Sequence, residues 1–261
     1  MPRRRRRRIR TDAIRRPPPR SAPRPPTPRG YYGGTQRPLQ CLAFLLPITV
    51  AYELGMAWLH RSHAVDDGPD LAAQLVLQWF FSLFGATGYY LPGLALVAVL
   101  LAWHVASREQ WRIEVPLLAG MSAESVLLAL PLLVFSRVFN TESLAAATSS
   151  GGVLEELLLS LGAGIYEELV FRLMLISLLM LLLRDILRLK QSWSVGAAVC
   201  LSSLAFAAHH YPPIGSDEFT ATAFAFRALA GGYLAGVYVI RGFGIAVGCH
   251  AVYDVIAVAL I

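Results

Sequence analysis

Long apolar runs, separated by short polar segments, follow one another along most of the chain. At 1.5 Å of rise per residue, a helix needs about 20 mostly apolar residues to cross a hydrocarbon core of about 30 Å. The sequence therefore predicts an all-α, polytopic transmembrane bundle of seven to eight helices. The runs that predict its spans are 41–59, 91–105, 116–135, 154–183, 193–208, 221–240 and 244–261.

An eighth apolar stretch, 71–90, gives a weaker pattern because Gln74, Gln78 and Gly85 interrupt it. It is compatible with a span, a re-entrant segment or a helix in the membrane interface. Loop charges favour the arrangement in which this stretch does not cross, since the basic loops then all lie on the side of the basic N-terminus. We therefore predict seven crossings and a cytoplasmic N-terminus. The basic residues that support this topology are Arg108, Arg112, Arg184, Arg188, Lys190 and Arg241.

Composition and charge agree with a membrane protein that carries a separate basic arm. Hydrophobic residues make up 56% of the chain and charged residues 15%, whereas soluble domains have about 45–50% and about 25%. Residues 1–30 hold 12 arginines and one aspartate, so the remainder of the chain is acidic although the whole carries +6. Three cysteines are too few for a disulfide scaffold.

The Arg/Pro-rich sequence predicts a disordered cytoplasmic arm over residues 1–37 and a transmembrane helical domain over residues 38–261. Such an arm suits anionic lipid at the membrane surface, which we expect as its partner. A nucleic-acid patch is the alternative for a basic segment of this kind. Because membrane spans follow directly, we expect no nucleic-acid partner.

An acidic pair interrupts the run 154–183. Glu168 and Arg172 are spaced i,i+4, which places them on one helix face as an ion pair. Glu167 lies about 100° away around the helix, so its carboxylate stays available as a general base toward water. Ionisable groups in hydrocarbon are costly and are usually functional, although a purely structural salt-bridge cluster is the alternative.

Two further polar groups occur on later helices. His209 and His210 end the run 193–208, one turn after Phe206, and His250 precedes Asp254 by one turn in the last run. Alone, each group is equally compatible with a buried structural contact. Acid, base and imidazole on separate helices together predict a site that holds water and directs it at a carbonyl.

Other intramembrane protease motifs are absent. The sequence contains no His-Glu-x-x-His, the zinc-binding motif of zincins, and no Gly-x-Ser-Gly nucleophile. Glu155 and Glu156 repeat the acidic pair without its arginine and begin a helix, which indicates a role in the helix dipole. Arg227 is expected to pair with Glu53 or Glu124 across helices.

The ordered set Glu-Glu-x-x-x-Arg, Phe-x-x-x-His and His-x-x-x-Asn/Asp resembles the CPBP family over about residues 150–261. These CAAX-protease and bacteriocin-processing intramembrane proteases include the type II CAAX-prenyl endopeptidases. The resemblance implies that Glu167 activates water and that Glu168 pairs with Arg172 or assists it. It implies His210 as the catalytic histidine of the second motif, with His209 as the fallback. The oxyanion would be stabilised by His250 and Asp254.

Asp254 departs from the asparagine that is frequent in the family at its position. A carboxylate is a poor oxyanion donor unless protonated, so Asp254 is an alternative orienting group for His250 or a cation ligand. The resemblance leaves a metal open. If one is present, Glu167, His210 and His250 are the expected ligands of an ion such as Zn²⁺.

The sequence thus leads to two functional hypotheses. The first is an intramembrane endopeptidase, a hydrolase that cleaves a membrane-associated or lipidated protein or peptide in a membrane-embedded cavity. The second is a non-catalytic membrane protein with the same fold, such as an immunity-type protein, a scaffold or a small-solute carrier.

Overall fold

The computed structural model describes residues 30–62, 71–139 and 152–259, and within these ranges the protein is all-α, with nine helices. The predicted fold class is confirmed. Eight of the nine helices are longer than six residues. In chain order the helices are α1 (Tyr31–Gly34), α2 (Pro38–Arg61), α3 (Ala72–Ser82), α4 (Leu91–Ser107), α5 (Val115–Val138), α6 (153–186), α7 (Gln191–Ala208), α8 (Ala221–Arg241) and α9 (Phe243–Ala259).

The helix boundaries follow local chemistry. Pro38, Pro92 and Pro116 occupy the first turns of α2, α4 and α5, where a missing backbone N–H costs nothing. Thr220 caps α8 by accepting a hydrogen bond from the backbone nitrogen of Ala223. Gly242 ends α8 with φ +95°, a conformation that suits glycine and lets α9 begin at once.

Four of these helices, α2, α5, α7 and α8, are long and apolar enough to cross a membrane. The helices α4 and α9 are also apolar, with 17 residues each. These candidate spans are consistent with a multi-pass membrane protein, as the apolar runs predict. The orientation of the bundle across the membrane stays a prediction.

The stretch 71–90 does not form a spanning helix. Its helix α3 has 11 residues, which at 1.5 Å each gives about 16 Å, or half of the hydrocarbon thickness. Turns follow α3, with positive φ at Gly85 and Gly88. The sequence left a span, a re-entrant segment or an interfacial helix open for this stretch, and the structure excludes the span.

Ordered structure begins earlier than the predicted boundary at residue 38. The Tyr31 hydroxyl donates a hydrogen bond to Glu124 of α5, and Thr35 is fully buried against the end of α8. The sequence pattern missed this because Tyr31–Gly34 is too short for an apolar run. Residues 1–29 lie outside the described residues, so the disordered arm stays a prediction.

The helix α6 is continuous and changes its winding along its length. It is α-helical over Val153–Glu168, π-helical over Leu169–Ile176, α-helical for the turn Ser177–Met180 and π-helical again over Leu181–Ile186. Segments of π-helix are rare and occur frequently at functional sites. The first change of winding directly follows the acidic pair.

The helix α9 lies at the centre of the bundle, because every residue from Phe243 to Ala251 is buried. It packs closely on α6, since a β-carbon at Gly164 would lie 2.8 Å from the backbone nitrogen of Ala251. This close approach brings the acidic pair of α6 next to His250.

Candidate active site

Three helices bring all of the sequence-predicted site residues together. Glu167, Glu168 and Arg172 come from α6, the two histidines from the end of α7, and His250 and Asp254 from α9. A cavity of about 390 Å³ opens above them. Its polar lining within the described part of the chain consists of Glu156, Ser160, Glu167, His209, His210, Ser216, Asp217, Arg227, His250, Tyr253 and Asp254.

Glu168 and Arg172 form the predicted i,i+4 ion pair, with 3.0 Å between the carboxylate Oε2 and the guanidinium Nε. Both side chains are fully buried and neither lines the cavity. The guanidinium also lies 4.3 Å from the ring centroid of Phe206 and donates a hydrogen bond to the Gly231 carbonyl at 3.2 Å. The pair therefore neutralises one carboxylate beneath the cavity floor.

His250 is held between carboxylates. Its Nδ1 lies 2.9 Å from Glu168 Oε1, while its Nε2 lies 3.3 Å from Asp254 Oδ2 and 3.8 Å from Glu167 Oε2. A carboxylate only accepts, so Nδ1 carries a hydrogen and donates it to Glu168. A further proton has to lie between Nε2 and Asp254, because two acceptors repel each other. This contact matches the alternative in which Asp254 orients the imidazole of His250.

The two histidines of α7 share one acceptor. The Nδ1 atoms of His209 and His210 lie 2.5 Å and 3.0 Å from the carbonyl oxygen of Phe206. Because a carbonyl has no hydrogen to give, each Nδ1 donates, so a ring without a second proton presents the lone pair of Nε2. The His209 Nε2 lies 3.4 Å from Glu167 Oε1, and one ligand atom of each of the three residues falls within 4.8 Å of the others.

Three hydrogen-bond acceptors, one from each of Glu167, His209 and His210, thus converge at the cavity. A carboxylate and two imidazole lone pairs cannot face one another without a donor between them, which is a proton, a water molecule or a cation. The donor set also fits a divalent ion such as Zn²⁺, since three protein ligands leave a fourth position open and a carbonyl fixes both imidazoles.

The group that fits a metal differs from the expected one in one member. The expected metal ligands are Glu167, His210 and His250, whereas the compact group in the structure has His209 in place of His250. The physical reason is that the nitrogens of His250 already face Glu168 and Asp254. The choice between His209 and His210 as the catalytic histidine stays open, because both turn toward Glu167.

A loop holds the histidine turn in place. The backbone nitrogen of Asp217 donates to the His210 carbonyl at 3.0 Å. Gly215 is required here, since a β-carbon would lie 2.1 Å from the same carbonyl oxygen. The side chain of Asp217 then forms an ion pair with Arg227 of α8. The loop therefore ties the end of α7 to α8.

The predicted partners of Arg227 were wrong. Arg227 pairs with Asp217, Glu124 pairs with Arg241, and Glu53 accepts a hydrogen bond from Tyr166. The signal that the sequence prediction missed is the short spacing of Asp217 and Arg227. Asp217 lies in the loop just before α8, and Arg227 follows ten residues later within α8, so the loop can bring the two side chains together. Glu156 sits in the first turn of α6, as expected, and also lines the cavity.

Comparison with known proteins agrees with this site. A family model described as "Type II CAAX prenyl endopeptidase Rce1-like" matches residues 149–256. This range contains every residue of the cluster. No match is found among curated proteins or among solved structures.

Proposed function

We propose, from the premise that residues 149–256 belong to the Rce1-like family of type II CAAX prenyl endopeptidases, that the protein is an intramembrane endopeptidase. It would hydrolyse a peptide bond in a membrane-associated or lipidated protein or peptide. The observation that carries the proposal is the convergence of the Glu167 carboxylate with ring nitrogens of His209 and His210 in the wall of one cavity.

Charge pairing singles out Glu167 as the base. Arg172 neutralises Glu168, and the shared proton between His250 and Asp254 neutralises Asp254. Glu167 is then the carboxylate of the cluster without a fixed cation, and it faces the cavity. A carboxylate that faces the cavity and is not neutralised by an arginine can accept a proton from water held beside it.

The reaction follows from these positions. Water held between Glu167 and the two imidazole lone pairs gives a proton to Glu167, and its oxygen adds to the carbonyl carbon of the scissile bond. The proton then passes to the amide nitrogen as the C–N bond breaks. The products are a new carboxylate and a new amine, so one water is consumed for each bond cleaved.

His250 is positioned to stabilise the oxyanion. With a proton on each ring nitrogen, it donates from Nδ1 to Glu168 and turns Nε2–H toward Asp254 and the cavity. A charged donor that is held in place before the reaction stabilises the negative oxygen of the tetrahedral intermediate. Asp254 acts as the positioning residue for this ring.

A divalent ion such as Zn²⁺, if bound, would be held by Glu167, His209 and His210 and would polarise the substrate carbonyl and the water. The hydrogen bonds from both Nδ1 atoms to the Phe206 carbonyl would leave the Nε2 lone pairs free to bind such an ion. The ion pair of Glu168 and Arg172 keeps its place beneath the cavity in either case.

The partners follow from this assignment. We expect a membrane protein or peptide as substrate, a cytoplasmic N-terminus, and anionic lipid at the Arg-rich arm, with no nucleic acid. The arm carries 12 arginines in residues 1–30, which attract negatively charged headgroups.

The test compares peptides released from membranes that contain the protein, its Glu167→Gln variant, or neither. Cleavage by the unmodified protein and not by Glu167→Gln supports the proposal. The matched control is Glu124→Gln, which changes a part-buried glutamate outside the cluster. Equal peptide patterns in all membranes, with each protein folded, would favour the non-catalytic alternative of an immunity-type protein, a scaffold or a small-solute carrier.

A further inference from the structure

The end of the bundle at which α2 begins, which we call the N-terminal face, is identified by contacts between helix ends. Arg37, directly before α2, pairs with Glu109 after α4 and with Glu114 before α5, each at 3.0 Å. The hydroxyl of Thr35 donates to the carbonyl of Arg241 at the end of α8. The start of α2, the end of α4, the start of α5 and the end of α8 therefore lie together.

The cavity of the candidate active site opens at the opposite end of the bundle, which we call the far face. Successive spans run in opposite directions, so the far face holds the starts of α6 and α8 and the ends of α7 and α9. The cavity wall reaches Glu156 in the first turn of α6 and Val258 in the last turn of α9. It also includes Ser216 and Asp217, in the loop between α7 and α8.

The bundle is closed between the cavity and the N-terminal face. The ion pair of Glu168 and Arg172 lies beneath the cavity floor and is fully buried. The next layer consists of Ile176, Ala198 and Ala235, which form a buried apolar cluster. A peptide that came from the N-terminal face would have to break this packing, whereas the far face gives direct access to Glu167.

Lysine and arginine are distributed unequally between the two faces. The far face has Arg61 and Arg137 at the ends of α2 and α5. The arm of residues 1–30 precedes the N-terminal face and holds 12 arginines. The further basic residues at that face are Arg37, Arg108, Arg112, Arg184, Arg188, Lys190 and Arg241. Because basic segments next to membrane spans stay in the cytoplasm, this bias places the N-terminal face on the cytoplasmic side.

Little in the sequence of the far face resists translocation. The stretches 63–70 and 140–151 contain no lysine or arginine. The acidic residues next to the helix ends there contribute little to orientation. They are Glu155, Glu156, Asp217 and Glu218. The inverted orientation would instead require the arginines of the arm to cross the hydrocarbon core, where each guanidinium is costly.

We propose that the cavity opens on the side of the membrane away from the cytoplasm and receives its peptide substrates from that side. The inference rests on the proposed function and narrows its substrate class. The substrates are proteins or peptides that have been carried across the membrane and stay attached to its outer leaflet by a lipid or a span. Lipidated proteins that remain at the cytoplasmic leaflet are excluded.

The first experiment labels single cysteines with a thiol reagent that does not cross membranes. Ser192 in the first turn of α7 and Ser216 after its end are both exposed, so Ser192→Cys and Ser216→Cys are a matched pair. Both are made in a full-length Cys200→Ala background, which lacks the exposed native thiol. In right-side-out membrane vesicles, we expect Ser216→Cys to be labelled at once and Ser192→Cys only after permeabilisation.

The second experiment presents a substrate from one side of the membrane at a time. The probe is a library of lipid-anchored peptides with a charged tail that cannot cross the bilayer, added to right-side-out or to inverted vesicles of the same membranes. We expect cleavage in the right-side-out vesicles, and in the inverted vesicles only after permeabilisation. The Glu167→Gln variant in the same vesicles gives the background of other proteases.

Labelling of Ser192→Cys without permeabilisation, or of Ser216→Cys only after it, would overturn the inference and leave the proposed function standing. Faster cleavage in inverted than in right-side-out vesicles would have the same meaning. No cleavage above background in any vesicle, including the permeabilised ones, would instead count against the proposed function. The labelling pattern would still decide on which side the cavity opens.

Discussion

The bundle contains two clusters of ionisable side chains, one partly exposed and one buried, and they differ in how their hydrogen-bonding groups are matched. The N-terminal cluster consists of Tyr31, Glu124 and Arg241. Its carboxylate accepts from Arg241 at both oxygens and from the Tyr31 hydroxyl at 2.7 Å. The site cluster contains Glu167, His209 and His210, whose acceptor atoms face one another with 3.4 Å between Glu167 and His209.

This difference in how acceptors are matched with donors distinguishes a cluster that stabilises the fold from one that can react. In the N-terminal cluster, each oxygen of Glu124 already has a donor, so the group gains nothing from water or a ligand. In the site cluster, the acceptors need a donor between them, which is a proton, a water molecule or a cation. Both clusters join distant parts of the chain, and only the second opens into the 390 Å³ cavity.

The largest expected effect on activity comes from Glu167→Gln. The amide keeps the shape of the side chain but cannot take a proton from water. We expect kcat to fall by about a hundredfold to ten-thousandfold, with a thermal unfolding midpoint close to that of the unmodified protein. Release of labelled peptide in vesicles measures the first quantity and differential scanning fluorimetry the second. A variant that retains most of its activity would contradict the assigned role.

The largest expected effect on stability comes from Arg172→Met. This change leaves the carboxylate of Glu168 buried without its cation, which costs about 3–5 kcal/mol. Unfolding in detergent with added denaturant measures the loss. The double variant with Glu168→Gln should recover part of it, because the uncompensated charge is then gone. If the double variant is no more stable than the single one, the ion pair is not the reason.

A smaller effect on stability is expected from Arg241→Gln. Glu124 keeps its hydrogen bond from Tyr31 and stays partly accessible to water, so we expect a loss of about 1–2 kcal/mol. The same unfolding experiment measures it. The rate of cleavage per folded molecule should stay within about twofold of the unmodified protein, and a larger fall in that rate would mean that the two clusters are coupled.

The smallest effect is expected from Glu156→Gln. Glu156 lines the cavity but lies in the first turn of α6, about three turns before Glu167. Its charge acts on the substrate only at a distance, so kcat should change by less than about threefold. A loss comparable to that of Glu167→Gln in the same cleavage assay would show that the site extends to the start of α6.

The sequence predicts most of the fold because membrane helices leave a strong local signal. The apolar runs place each of the long helices to within a few residues, and the i,i+4 spacing predicts the pair of Glu168 and Arg172. The short helix α1 escapes prediction, since four residues carry too little pattern.

The sequence predicts which residues form the site, but it predicts their hydrogen-bond and ion-pair partners less well. The partners of Arg227 and Arg241 depend on how the helices and loops pack, which periodicity does not encode. The position of His209 likewise depends on the turn after α7, where both imidazoles donate to one carbonyl. The resemblance to the family's Phe-x-x-x-His motif implies His210, whereas the fold turns His209 toward Glu167 as well.

The central claim is that the convergent acceptors hold a water molecule which is consumed in the cleavage. Cleavage of a lipid-anchored peptide in heavy-oxygen water, followed by mass spectrometry of the products, tests it most directly. The account predicts one heavy oxygen in the new carboxylate with the unmodified protein, and no labelled product above background with Glu167→Gln. Product that carries no heavy oxygen, or equal labelled product from the variant, would contradict it.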